Sequence, residues 1–254
     1  MKRFIISLGK VDIHFSTFFI VFFAIVSGRF QSFIFLFLFT MIHELFHIMT
    51  ALLFKVKVDK ISVLPFGFSA KMESLYNVEW YKELLIVIMG PLSYFFTNYL
   101  ILLMHKIQLI SLIGLSNANT INNFILAFNL LPIIPLDGSK IIKIFLDFFI
   151  TEKKSMKLNG LISIIFLLLY FIFLPMQFTI YLFLIYSQSE YWFYLKNNYA
   201  LFLISRLKKF KLKLKIHNKN DFYKNFTNIF LKRDKIYSEE EYLKKIYGGD
   251  YENI

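Results

Sequence analysis

The sequence contains no cysteine. That excludes disulfides, thiolate metal ligands and a cysteine nucleophile, and leaves histidine and carboxylate as the strong ligands on offer. Charge is also scarce: charged residues make up 18% of the 254, against 57% hydrophobic and 20% aromatic, with a mean hydropathy of +0.57. This is too apolar for a soluble domain of that length and predicts a polytopic membrane protein. The net charge of +12 is carried by lysines and arginines in the gaps between apolar runs and in the tail. That is where cytoplasmic loops facing anionic lipid carry them, so no nucleic-acid partner is inferred.

The most informative stretch is the apolar run 33–54, which carries His43, Glu44 and His47. Ionisable groups at lipid depth are costly unless they pair, line a cavity or bind an ion, so three within five residues demand a reason. On a helix His43 and His47 lie one turn apart, about 40° around the axis and about 6 Å along it, so both imidazoles can reach one metal. Glu44 projects from the flank, where it can take a proton from water at the metal without occupying it. The pattern is H-E-x-x-H, the zinc-peptidase spacing. The alternative, a helix with packed or paired polar residues, requires this clustering to arise inside a span by chance.

Along the chain, six spans are predicted, at about 11–27, 33–54, 83–105, 118–150, 158–174 and 176–195, so the fold class is an all-α polytopic membrane protein. Residues 1–27 resemble a signal peptide in charge and apolarity, but no small-x-small cleavage site follows Val26, so they read as a first span. His14 within it is a lone polar residue, expected to pack rather than to ligate. Between Lys55 and Tyr81 the pattern turns to short β-leaning pieces, predicting a hairpin or re-entrant loop around Phe66 after the second span. An exposed edge there could pair with an unwound substrate. In the third span, Gly90-Pro91 allows close helix approach and loosens the backbone.

The fourth span cannot remain regular at 132–138, where Pro132 and Pro135 precede Asp137-Gly138. Backbone groups freed at depth need protein or water partners, which marks the break as a site. Zinc held by two histidines needs a third protein ligand and leaves a position for water. Asp137 is the candidate ligand, or the N-cap of the following helix, or both. The tail, 201–254, is basic and short for an independent core.

These residues carry a resemblance. His43-Glu44-Leu45-Phe46-His47, Leu64-Pro65-Phe66-Gly67, Gly90-Pro91 and the run from Asn129-Leu130-Leu131-Pro132 to Pro135-Leu136-Asp137-Gly138 make residues 10–200 similar to the site-2 protease type of intramembrane zinc metalloprotease, and within it to the sporulation branch. The resemblance implies one catalytic Zn2+ held by His43, His47 and Asp137, with Glu44 as general base. It places Asn129 where the family positions substrate, and the loops around Phe66 and Pro135 along the route of water and substrate. It implies a membrane-associated substrate, the pro-sequence of a sporulation sigma factor. It further implies inhibitory membrane partners and residence in the mother-cell membrane around the forespore; a homo-oligomer is compatible. Phe68 and Ser139 stand where glycines are expected, and the tail is too short for a complete CBS-type domain. A site-2 type protease with another regulatory substrate is one alternative. A metal transporter is another, although it would be expected to show more polar ligands along its spans.

The basic loops put both termini and the ends of spans two and four on the cytoplasmic side. In this cysteine-free chain, a cysteine introduced at Lys57 or Lys154 should be labelled from the cytoplasm. Labelling only from outside would invert the topology and rule out a cytoplasmic sigma-factor substrate.

Overall fold

A computed structural model describes residues 5–8, 11–14, 25–56, 58–64, 67–72, 78–173, 178–206, 214–217, 221–232 and 235–247. Among the described residues three helices are long and apolar enough to cross a membrane: α1 (Phe30–Leu53), α2 (Trp80–Lys106) and most of α5 (Glu152–Phe173). The chain divides into two compact units, residues 1–75 with 81–131, and residues 76–80 with 132–254.

In the first unit, α1 packs on α3 (Leu112–Asn129) and against a four-stranded sheet. Its buried face is a stripe of every fourth residue, Phe35, Phe39, His43 and His47, continued by Thr50 and Ala51. The two histidines therefore share the stripe with the core aromatics, as a helical period requires. Phe35 and Phe39 stack at 5.7 Å and join Ile101, Ile110, Ala118 and Ile125 in the core. Strands β1 (Ile5–Leu8), β2 (Val11–His14), β3 (Val58–Leu64) and β4 (Gly67–Met72) lie in sequence order across the sheet. β1 and β2 are antiparallel with Leu8 opposite Val11, β2 and β3 are parallel, and β3 and β4 are antiparallel.

β1 and β2 depart from the all-α expectation, which allowed β-like structure only after the second span. Val11–His14 is a strand rather than the start of a helical span, and His14 lies opposite Ile5. A short apolar run rich in β-branched residues suits either state, and pairing with β3, about fifty residues away, decides it. The rest of the predicted first span, 15–24, lies outside the described residues.

The second predicted discontinuity is present, with shifted bounds. α3 begins at Leu112, where Ser111 caps it by accepting the Gly114 amide at 3.2 Å, and ends at Asn129. α4 runs Asp137–Phe149, so the break occupies residues 130–136 rather than 132–138. Proline disfavours helical backbone at the residue before it, and α3 accordingly stops short of Pro132. The Ile134-Pro135 peptide is cis.

In the second unit, α5 packs against α4 and against α6 (Phe178–Arg206). α6 continues past 195 because polar residues end the lipid-compatible stretch without ending the helix. Gly160 permits the α5–α6 approach: a Cβ there would lie 2.8 Å from the Trp192 ring. The tail forms β5 (Leu214–His217), β6 (Thr227–Lys232), β7 (Lys235–Tyr237) and α7 (Glu239–Tyr247). Its length is marginal for a core, and the core it has joins Phe202 and Leu203, on the last turns of α6, to Phe222, Phe230, Tyr242 and Leu243. Ser238 and Glu241 cap α7 reciprocally, amide to carboxylate at 2.9 Å and amide to hydroxyl at 3.3 Å. A buried ionic cluster ties the tail to the α4–α5 turn. Lys143 bridges Asp147 at 2.9 Å and Glu152 at 2.7 Å, Lys224 approaches Asp147 at 3.7 Å, and the Glu152 amide donates to the Phe222 carbonyl.

Phe230 is fully buried and its ring stacks 3.9 Å from that of Tyr242. Phe230→Ala should cost the tail about 3–5 kcal/mol. Hydrogen exchange should show this as lost protection in β6 and α7, with α1 and α2 unchanged.

Candidate metal centre

His43 and His47 are both buried, at 7% and 5% exposure, and their Nε2 atoms are 3.2 Å apart. Two imidazoles one helical turn apart can meet edge to face, and here the rings cross at 81° with centroids 4.9 Å apart. The Nδ1 of His47 is 2.7 Å from the Ile86 carbonyl of α2. A carbonyl can only accept, so Nδ1 carries a proton, and in the neutral form of the ring Nε2 presents its lone pair towards His43. A backbone carbonyl orienting the far nitrogen is the usual support of a metal-ligating histidine.

Gly90 completes the arrangement. A Cβ at this position would lie 2.1 Å from His47 Nε2 and 2.8 Å from His43 Nε2, so no side chain can occupy it without displacing the rings. The neighbouring Pro91 withholds the amide that the Val87 carbonyl would accept in a regular helix, so α2, though continuous from Trp80 to Lys106, lacks one backbone bond where the imidazoles press against it.

Asp137 is 3% exposed and sits in the first turn of α4, where the helix dipole favours a carboxylate. Leu136 occupies the N-cap position, with no capping bond from its side chain, so the reading of Asp137 as N-cap is corrected. Asp137 Oδ1 accepts from Lys140 at 2.7 Å, and Lys140 is about half exposed. Ser139, where a glycine was expected, is buried and pins the turn: its hydroxyl donates to the Leu136 carbonyl at 2.8 Å and its amide to the same oxygen at 3.1 Å. His43 and His47 belong to the first unit and Asp137 to the second, and each offers one ligand atom. Two imidazoles and one carboxylate form the donor set of a catalytic zinc site, one position short of tetrahedral. The imidazole separation fits as well, since bonds of about 2.0–2.1 Å at a tetrahedral angle set nitrogens about 3.3 Å apart.

The remaining predicted residues are placed as follows. Glu44 is half-buried on α1 beside His43. Asn129, the last residue of α3, is half-buried and its side-chain amide donates to the Ile125 carbonyl at 2.9 Å. Pro135 is exposed in the break, and Phe66 lies outside the described residues. Sequence reasoning missed the Ile86 carbonyl, because a backbone acceptor leaves no mark on residue type. It had read Gly90 only as a point of helix approach. The signal that could have found its contact was the presence of Gly-Pro in the same unit as two histidines on one face.

Replacing an interior helix glycine by alanine ordinarily gains about 0.8–1 kcal/mol. At Gly90 the clash should reverse that sign, with a net loss of about 1–3 kcal/mol from overpacking. Denaturant unfolding of Gly90→Ala in detergent measures it, and a stabilised variant would show that the histidine rings do not rest on this glycine.

No family model matches the chain. Stage IV sporulation protein FB of Bacillus subtilis is 27% identical over 169 residues, 66% of this chain and 59% of that protein. A zinc metalloprotease of Methanocaldococcus jannaschii is 34% identical over 118 residues, 45% of this chain and 34% of that protein. The matches thus span less than two thirds of either relative. Among solved structures, a site-2 protease from Methanocaldococcus jannaschii is similar at a TM-score of 0.55 and 26% identity, over 84% of this chain and 100% of that one. Sequence likeness to two curated proteins and fold likeness to a solved structure thus point the same way, towards site-2 type metalloproteases.

Proposed function

We propose that the chain is an intramembrane zinc metalloprotease that hydrolyses a peptide bond of a membrane-associated protein, with residues 1–200 as its proteolytic part. The observation that carries this reading is the buried pair of Nε2 atoms 3.2 Å apart on an apolar helix, with Glu44 next to the first ligand. A hydrogen bond between two imidazoles could span the same distance. It would not account for the carbonyl that fixes the His47 tautomer, the adjacent glutamate and the third donor, Asp137, together.

In this reading His43, His47 and Asp137 hold the ion. Zinc in such a set supplies Lewis acidity, acidifying water and polarising a peptide carbonyl. Glu44 takes the proton as the water oxygen bonds to the carbonyl carbon, then delivers it to the amine as the C–N bond breaks. Asn129 is suited to hold the substrate backbone once its amide leaves the Ile125 carbonyl. Phe66 and Pro135 flank the route of water and substrate. A substrate helix must unwind locally first, because its amides are otherwise occupied and shielded.

The likeness to stage IV sporulation protein FB supports a sporulation role. The proposed substrate is accordingly the pro-sequence of a sporulation sigma factor, cleaved at the mother-cell membrane around the forespore, with both termini cytoplasmic and activity restrained by inhibitory membrane proteins.

Glu44→Gln preserves size and should keep zinc, but it cannot accept a proton at neutral pH, and loss of a general base typically costs about 10² to 10⁴ in rate. The assay is co-expression with a membrane-tethered pro-sigma factor, with zinc measured on the purified protein. Wild-type cleavage by a zinc-loaded Glu44→Gln variant would sink the mechanism. Zinc flux that survives the substitution, without cleavage by the wild type, would favour a transporter.

A further inference from the structure

Ser163 and Gln188 are polar side chains buried in two apolar helices, at 0% and 6% exposure, and the proposed chemistry uses neither. Polar groups at such positions are costly unless satisfied, so their partners indicate what they do. The Ser163 hydroxyl accepts the Ile134 amide at 2.8 Å and donates to Gln188 Oε1 at 2.8 Å. Gln188 Nε2 in turn donates to the Gly160 carbonyl at 3.0 Å, one turn before Ser163 on α5. This is a three-bond relay from the proline-interrupted turn, through α5, to α6 and back. The close approach of α5 and α6 at Gly160, where a Cβ would meet Trp192 at 2.8 Å, brings Gln188 within reach.

The relay ends on the turn that carries Asp137. Pro132 and Pro135 have no amide to donate, and the turn's own bonds are few: Leu136 to the Ile133 carbonyl at 2.8 Å, and Ser139 to that of Leu136 at 3.1 Å. These bonds hold residues 133–139 as one piece, and the bond from Ile134 to Ser163 ties that piece to α5. Asp137 is the first helical residue of the same piece, three positions after Ile134, so a shift at Ile134 displaces its carboxylate.

We propose that Ser163 and Gln188 are positioning residues that fix the Asp137 carboxylate as a metal ligand by anchoring the Ile134 amide. The inference rests on the zinc reading above. Gln188 acts through Ser163, because taking the hydroxyl proton leaves the oxygen lone pairs facing the Ile134 amide. The two residues therefore act in series rather than independently.

The test is zinc affinity of the full-length protein in detergent, measured by chelator competition, alongside thermal stability. Supports of metal ligands typically contribute about 10–100-fold in affinity. Ser163→Ala should weaken zinc binding by an amount in that range, and Gln188→Leu by less. The double variant should be no weaker than Ser163→Ala alone. Leu195→Ala, a cavity variant on α6 away from the relay, provides the control: it should lower thermal stability and leave zinc affinity as in wild type. Unchanged affinity in Ser163→Ala overturns the proposal, as does an equal loss in Leu195→Ala, which would mean that general destabilisation suffices. Full additivity in the double variant overturns the serial arrangement. Wild-type protein that binds no zinc, or binds it undiminished after Asp137→Ala, overturns the metal reading itself and this proposal with it.

Discussion

The first unit depends on how closely α2 can approach the histidine face of α1. Lipid is as apolar as leucine, so helices in a membrane gain little from burying apolar surface and associate by close packing and hydrogen bonds instead. Gly90 makes that approach possible where a Cβ would lie 2.1 Å from His47. The approach brings the Ile86 carbonyl to 2.7 Å from Nδ1, and that bond decides the tautomer. The tautomer in turn decides that His47 offers a lone pair and not a proton towards His43. One missing side chain thus controls the electronic state of a ring on another helix. A glycine inside a helix costs about 0.5–1 kcal/mol relative to alanine, a small penalty against a displaced imidazole.

The break between α3 and α4 follows the opposite logic. Two prolines remove donors and prevent a regular helix, which would be costly at membrane depth if the remaining backbone groups went unsatisfied. The Ile134 and Leu136 amides and the Ile133 and Leu136 carbonyls find partners from three directions: the turn itself, the Ser139 hydroxyl on the Leu136 carbonyl, and Ser163 on the Ile134 amide. An irregular segment pinned in this way can present a carboxylate from the first turn of a new helix, where the dipole favours it. A continuous helix would give Asp137 no such setting.

What was legible in the sequence follows from what leaves a local signature. Long apolar runs showed α1, α2 and α5, and the spacing of His43 and His47 showed a shared face, because both depend on one helix and its period. Val11–His14 was misread because four apolar and polar residues suit a strand or a helix, and its pairing with Ile61–Val63 is set by distant chain. The tail, 201–254, looked short for an independent core, yet the end of α6 lies within it and supplies Phe202 and Leu203 to one. Ser163 and Gln188 pair across 25 positions, and no motif reveals such a pairing.

Charge balance around Asp137 gives the last link between fold and chemistry. A buried carboxylate without a counter-charge is expensive, and removing one partner of a buried pair typically costs about 3–5 kcal/mol. Lys140 supplies that charge at 2.7 Å, yet its side chain is 52% exposed while that of Asp137 is 4% exposed. The pair is therefore asymmetric: the carboxylate has nowhere to go, whereas the ammonium can return to water by rotating a flexible stem, at little desolvation cost. On the metal reading, a dication held by the carboxylate would make the lysine charge redundant, and the group free to withdraw would be the one closest to solvent. Had the partner been a buried arginine held by several hydrogen bonds, as Arg206 is by the Lys224 carbonyl and Glu239 in the tail, releasing it would cost most of what the ion gained. An exposed lysine one turn along the helix gives the carboxylate a counter-charge without competing strongly for it.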